Sequence, residues 1–410
     1  MKTLFLRLVA VLMLFPGAAS ALRISYTYDA AGRMVAANYN GNSRTSYAYD
    51  KNGSLLSRVN TITPPLSPHL AATYTGLITN SSPDVANTGI ITLKLLANGT
   101  FSGKVTIQGS TLPFSGKFLP SGALEGGPIT IDRKTPLTDY ILDINIDTQG
   151  SLQAVLGSLS GVGGTPSDVS LQADFFNLGG RLIGSGFIGK YTMILEANAG
   201  AGVPKGTGYA TVSVSNKGII TMAGKLPNDI AITQGSQIVG PNVWPLFVAL
   251  HANQGFLAGS TAFVNQGGLA IQGSLVWGKP LTNGSFHPAD FKTGVNAEGS
   301  LYLAPLAGQR ALNFPATSPN AQFNAEFGNL LAPIMKNVTL DTANKFTTPV
   351  DANSLKLTLT GATGLVSGSF KADANTTRTL KGVLMQGQTF AAGYFTGSTE
   401  SGDFSILPSP

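Results

Sequence analysis

The chain has 410 residues, a formal charge of +6, 50 glycines, no cysteine and 11% charged residues. The missing cysteines exclude thiolate zinc sites, iron–sulfur ligation and thiol nucleophiles, and the basic excess is too small and too scattered for the clustered Lys and Arg of a nucleic-acid footprint. Few charges and many glycines, cut at short intervals by turn signals, point to an all-β chain long enough for two or three domains.

In chain order, Lys2 and Arg7 flank the start of an apolar run, Leu8 to Phe15, and Ala19-Ser-Ala21 follows with small residues. This is the pattern of a secretory signal peptide over residues 1–21, and the run is shorter than the roughly 20 apolar residues needed to span a bilayer. The expected location is extracellular or at the cell surface.

Residues 22–60 hold two copies of one unit, offset by 21 positions: Arg23 to Met34 and Arg44 to Leu55. In each, two tyrosines stand at i and i+2, Tyr26 and Tyr28 or Tyr47 and Tyr49, which puts both rings on one face of a strand. Asp29 or Asp50 then opens a turn by capping it through the side chain, and Gly32 or Gly53 supplies the positive φ that reverses the chain. Each unit reads as a Tyr-faced hairpin, with these residues and Arg33 in a structural role.

On those residues the segment resembles the YD (Rhs) repeat family, whose pattern runs roughly Tyr-x-Tyr-Asp-x-x-Gly-Arg-Leu. The second copy carries Ser54 where the family has Arg or Asn. The resemblance implies an extracellular β-hairpin repeat; in the family, long arrays wind into a shell around toxin cargo or stand as adhesion modules. Two units are too few to close a shell, because stacked repeats need about three neighbours to share a core.

A Pro-rich linker, 61–69, divides these hairpins from the bulk. Beyond it, strict alternation recurs: Phe101, Gly103, Val105 and Ile107 oppose Ser102, Lys104 and Thr106; Val212 and Val214 oppose Thr211 and Ser213; Val366, Gly368 and Phe370 oppose Ser367, Ser369 and Lys371. That period requires sheets with one wet face. A turn glycine followed by a strand with a second glycine recurs at Gly99 and Gly103, Gly218 and Gly224, and Gly364 and Gly368, the second placed where a neighbouring backbone presses close. Tyr74 and Tyr191 sit in equivalent first strands. The expectation is two antiparallel β-barrel or sandwich domains, 70–187 and 188–408, or three with a break near Trp277 to Pro280. One helix is expected where Phe323, Phe327, Leu330, Leu331 and Ile334 follow helical spacing. This part resembles the Gly-rich β repeats of large secreted proteins from verrucomicrobial-type bacteria, a resemblance that implies architecture only.

No residue set names a reaction. Asp143, Asn145 and Asp147 have the spacing of a calcium loop, but Thr148 replaces its glycine and the segment alternates like a strand, so a polar strand face is expected. His69, His251 and His287 lack the i, i+4 pairing of zinc motifs. Ser158 lies in a Gly-rich turn context, outside any nucleophile elbow. Trp244 and Trp277 would stack on sugar rings if exposed and otherwise fill core. Neither cofactor nor metal is expected, and no partner is identified beyond a cell-surface or extracellular polymer. The sequence therefore reads as a non-catalytic β-repeat protein, structural, adhesive or a scaffold, with an outer-membrane β-barrel and a carbohydrate-binding protein or carbohydrate-active enzyme as alternatives.

Overall fold

The computed structural model describes residues 24–39, 43–62, 66–134, 137–149, 153–161, 165–174, 185–265 and 267–409. The segment expected to be a signal peptide lies outside them. The chain divides into two compact units, residues 1–65 and 66–410.

The first unit is a four-stranded antiparallel meander of β1 (Ile24–Tyr28), β2 (Met34–Tyr39), β3 (Ser43–Tyr49) and β4 (Leu55–Ile62). Each repeat contributes one hairpin, and each hairpin shifts register at the same place, at Tyr28 in one and Tyr49 in the other. Asp29 accepts the backbone N–H groups of Ala31 and Arg33 at 3.0 and 2.9 Å, and Asp50 accepts those of Asn52 and Ser54 at 2.9 and 2.7 Å. The turns are capped as the sequence predicts.

The second unit holds three eight-stranded sheets. The first comprises β5 (Thr73–Thr79), β6 (Gly89–Leu95), β7 (Thr100–Ile107), β8 (Ser110–Lys117), β9 (Ile129–Ile131), β10 (Tyr140–Ile146), β11 (Ala154–Ser160) and β12 (Ser167–Ala173). The second comprises β13 (Gly189–Ala197), β14 (Gly208–Val214), β15 (Ile219–Lys225), β16 (Ala231–Gln237), β17 (Val243–Leu250), β18 (Gly255–Asn265), β19 (Leu269–Lys279) and β20 (Phe291–Leu301). The third comprises β21 (Ala321–Phe327), β22 (Ile334–Leu340), β23 (Phe346–Thr347), β24 (Lys356–Thr360), β25 (Leu365–Lys371), β26 (Thr377–Met385), β27 (Phe390–Thr396) and β28 (Ser401–Pro408).

All three share one topology. Each is an up-and-down meander whose first strand pairs with its last, β5 with β12, β13 with β20 and β21 with β28, leaving a seam between β8 and β9, β16 and β17, or β23 and β24. Each sheet thus curls into a nearly closed barrel. In the second barrel side chains lace the seam: Trp244 Nε1 donates to Gln234 Oε1 at 3.1 Å, and Gln234 Nε2 donates to the Pro245 carbonyl at 3.1 Å.

Alternation decides which residues fill the barrels. Along β10, Leu142, Ile144 and Ile146 are buried while Ile141, Asp143 and Asn145 face out; along β14, Ala210, Val212 and Val214 point in. Each barrel encloses its own apolar cluster, and each fully buried Leu or Phe contributes roughly 1.5–3 kcal/mol. The first strands of barrels one and two carry the same device. Tyr74 donates to the Leu70 carbonyl at 2.7 Å and Tyr191 to that of Phe187 at 2.8 Å, each anchoring a preceding 3-10 turn, Pro68–Leu70 or Ser185–Phe187. A methyl group added at Gly224 would collide with the Tyr209 carbonyl, which is the close approach that this strand glycine permits.

Two expectations are corrected. Residues 321–340 form β21 and β22, with no helix: Ala321, Phe323 and Ala325 alternate inward, whereas of the helix-like set Phe327 and Leu331 are 52% and 102% exposed and Leu330 and Ile334 are half-buried. The residues around Pro280 mark a loop inside the second sheet, because β19 and β20 on either side pair from Ala270 with Ser300 to Lys279 with Phe291. The change of sheet comes between Leu301 and Ala321, so the segment expected as one domain over 188–408 holds two barrels.

Candidate functional site

Perturbed and buried polar groups concentrate where the second and third barrels meet. The segment between β13 and β14 leans on the third barrel: Thr207 N–H donates to the Gly393 carbonyl at 3.2 Å, its hydroxyl donates to Asp403 Oδ1 at 3.1 Å, and the Lys205 carbonyl accepts the Ser401 hydroxyl at 2.5 Å. A crevice of about 200 Å³ opens there, lined by Glu196, Lys205, Thr207, Phe327 and Asp403 among others. The Lys205 ammonium sits 5.6 Å from the Phe327 ring centre. Burial, with Glu196 and Glu326 adding negative charge, pushes the Asp403 carboxyl up to about 7.

From the loop after β19, His287 reaches the same strand. Its N–H donates to the Thr399 carbonyl at 2.9 Å, and its Nε2 accepts the Ser401 N–H at 2.8 Å and lies 3.0 Å from the Ser401 hydroxyl. Burial, and then the nearby Lys279 ammonium, push the imidazole down to about 4. The pair resembles a nucleophile and its base, but the geometry does not serve that chemistry. The imidazole lone pair is taken by the serine's own N–H, the hydroxyl is directed at a carbonyl, and Ser401 is 0% exposed. Lys279 is buried too, its ammonium donating to the Pro280 and Ala289 carbonyls at 2.8 and 3.0 Å.

A second joint lies on the turn after β15. Asp229, at φ 63°, accepts hydrogen bonds from Lys225 at 3.0 Å, Lys381 at 3.1 Å and the Tyr394 hydroxyl at 2.6 Å through one oxygen. Burial pushes the Asp229 carboxyl up, but the Tyr394 hydroxyl and the two ammonium groups outweigh it and hold it below the ordinary carboxylate value. Between the two joints, Ile194 packs with Val383, Met385 and Ala392, and the Thr192 hydroxyl donates to the Leu384 carbonyl at 2.5 Å. These contacts can fasten one barrel to the next, and Asp403 can change charge near neutrality.

The sequence candidates fall elsewhere. Trp244 and Trp277 are both 0% exposed inside the second barrel, so neither offers a ring to a sugar; the wide inward face of the barrel takes them as core. Asp143 and Asn145 lie on the polar face of β10, and Asp147 caps a turn by accepting the Gln149 N–H at 2.9 Å. His69 pairs with Ser67 beside the first barrel at 2.5 Å, and His251, at φ 49°, occupies the turn after β17. Among the described residues, no three His, Asp or Glu side chains are grouped to hold a metal ion. In the hairpins, Tyr26 and Tyr28 are exposed, while Tyr49 donates to the Met34 carbonyl at 2.9 Å. Sequence reasoning missed Asp229, Ser401 and Asp403, and left His287 without its role. Asp229 meets Lys381 and Tyr394 across 152 and 165 residues, a separation that no local pattern reveals.

No family model and no curated protein matches the chain. Among solved structures, it is similar to a protein of unknown function from the DUF3598 family of Nostoc punctiforme, at 11% identity over 57% of this chain and 99% of that one, with a TM-score of 0.18. It is also similar to the TcdB2-TccC3-TEV structure, at 10% identity over 93% of this chain and 21% of that one, with a TM-score of 0.14. A third is the WD40 domain of SCAP from fission yeast, at 10% identity over 93% and 73%, with a TM-score of 0.13. Superpositions this loose carry no argument about function.

Proposed function

We propose that this chain is an exported, non-catalytic scaffold of the cell surface or extracellular space, in which two YD-type hairpins are carried by three filled β-barrels. The observation that supports it best is what the polar groups around the joints of the second and third barrels do: Ser401, His287 and Lys279, which are buried, and Asp403 and Asp229, which are half-buried, are hydrogen-bonded to other parts of the fold. Chemistry needs groups held free for substrate; these are consumed in fastening barrels and loops.

The direction of alternation favours a water-exposed protein over the outer-membrane reading. A barrel in lipid carries its apolar band outside and a polar interior, whereas here Leu142, Ile144, Val212 and Val214 point in and Asp143, Asn145, Thr211 and Ser213 lie on the opposite face. The burial of both tryptophans removes the two rings that were candidates for stacking on a sugar. Fractionating the native host into medium, surface wash and alkaline-carbonate-washed membrane tests the proposal. The scaffold belongs in the first two fractions; recovery in cytosol, or in membranes after carbonate, would overturn it.

A further inference from the structure

The charges on the strands of the first barrel are sorted by side. Its strand lysines are Lys94 on β6, Lys104 on β7 and Lys117 on β8, three neighbours in the sheet, and its strand carboxylates are Asp143 on β10 and Asp168 on β12. All five occupy outward positions of the period-two pattern, Lys117 half-buried and the others exposed. Lysines that are scattered in the sequence thus gather on one side of the barrel, away from the acids.

A groove of about 650 Å³ crosses that basic side, lined by Thr73, Thr92, Lys94, Ser102, Lys104 and Ser115 among others. Strand register brings them together: Thr73 pairs with Lys94, Lys94 with Ser102 and Ser102 with Ser115, and two residues along the strands Thr92 pairs with Lys104. Lys94 and Lys104 are diagonal neighbours, about 7–8 Å apart, near enough for their like charges to oppose each other. Lys117 is relieved by Glu125 at 3.4 Å, whereas among the described residues no carboxylate pairs with Lys94 or Lys104. The groove therefore holds uncompensated positive charge among hydroxyl groups.

We propose that this groove binds an acidic polysaccharide, whose carboxylates take the Lys94 and Lys104 ammonium groups and whose ring hydroxyls pair with Thr92, Ser102 and Ser115. An ammonium forms charge-assisted hydrogen bonds with a carboxylate, and a serine or threonine hydroxyl both donates and accepts, as a sugar hydroxyl does. Other anionic partners fit the lining less well. A protein is held by aromatic and apolar anchors, but the exposed members of the lining are Lys94, Ser102, Lys104, Pro113 and Ser115. A nucleic acid needs clustered Lys and Arg, which two unpaired lysines do not supply. The assignment names the class of polymer that the proposed extracellular scaffold holds, and rests on that reading only for where the polymer is met; binding by the purified chain does not depend on compartment.

Isothermal titration calorimetry of the full chain with polygalacturonate, at low ionic strength where exposed charges are least screened, tests this. The wild type is expected to bind. Lys94→Gln with Lys104→Gln weakens binding at least about tenfold, or ~1.4 kcal/mol, while Lys345→Gln with Lys356→Gln, which removes the same charge from exposed positions at β23 and β24, leaves it unchanged. Both double variants keep the wild-type circular dichroism spectrum, because all four positions are exposed. Fully methyl-esterified polygalacturonate, whose carboxylates are masked, is expected not to bind. Absence of binding to polygalacturonate, equal weakening in both double variants, or equal binding of the esterified polymer or of duplex DNA would each overturn the proposal. So would self-association without polymer that Lys94→Gln with Lys104→Gln abolishes, which would make the acidic side of a second copy the occupant. Fractionation of the host is indifferent to all these results, so failure of the groove and failure of the scaffold reading are told apart.

Discussion

Asp403 on β28 stands directly opposite Glu326 on β21 across an antiparallel pair, with Glu196 of the second barrel adding its charge from the other side of the crevice. Two like charges face to face oppose each other, and burial of Asp403 resolves the conflict by keeping its proton.

Asp403 and His287 consequently titrate in one window with opposite sign. The folded carboxyl keeps its proton up to about 7 against an ordinary 3.8, so between those values the folded state holds a proton that the unfolded state has lost, and stability falls as pH rises. The folded imidazole stays neutral down to about 4 against an ordinary 6.5, so there the unfolded state holds the extra proton, and stability rises with pH. In the wild type the two slopes oppose each other. Asp403→Asn should leave the His287 slope, making the protein more stable at about pH 7 than at about pH 5 relative to wild type; His287→Gln should tilt it the other way, each by a few kcal/mol. Urea unfolding at both pH values checks this, and parallel pH dependence in all three proteins would contradict it.

Removing the acceptor at the second joint should be costly. Asp229→Ala leaves the Tyr394 hydroxyl, on a side chain 1% exposed, without its partner and places alanine at φ 63°. The expected loss is about 2–4 kcal/mol from the unsatisfied hydroxyl and the left-handed backbone together. Asp229→Asn keeps an acceptor and a residue that tolerates this φ, and should lose less than half as much. Chemical denaturation of the two variants compares them directly.

The two tryptophans should respond differently to the same change. Trp244 Nε1 laces the barrel seam through Gln234, whereas Trp277 Nε1 is buried without a hydrogen-bond partner. Trp244→Phe is therefore expected to lower stability by about 1–3 kcal/mol more than Trp277→Phe, because it strands the Gln234 oxygen. Equal thermal shifts would mean that the seam hydrogen bond contributes nothing.

The barrels were legible because their cause is local. Phe101, Val105 and Ile107, or Val366 and Phe370, are sorted inward by a period-two pattern that survives in any window of the chain. Where one barrel ends was not, since it depends on β21 finding β28 across about 80 residues; Pro305, Pro315 and Pro319 break the stretch between Leu301 and Ala321 but do not say which strands pair on either side of it. The false helix at Phe323 to Ile334 arose because a strand, a turn and a second strand placed apolar residues at spacings that mimic a helix face. The hairpin turns were readable down to Asp29 and Asp50, whose capping is completed within four residues. The joints at Asp229 and Asp403 were invisible for the opposite reason: each is made of single polar residues from distant strands, and only the packing of two finished barrels brings them together.

Hydrogen–deuterium exchange on the purified chain in detergent-free buffer tests the central claim most directly, that these are three filled barrels with their polar faces in water. The account predicts slow exchange along all three sets of strands, including β18 to β20, with the protein soluble throughout. Rapid exchange across any one barrel, or protection that returns only when detergent or lipid is added, would contradict it.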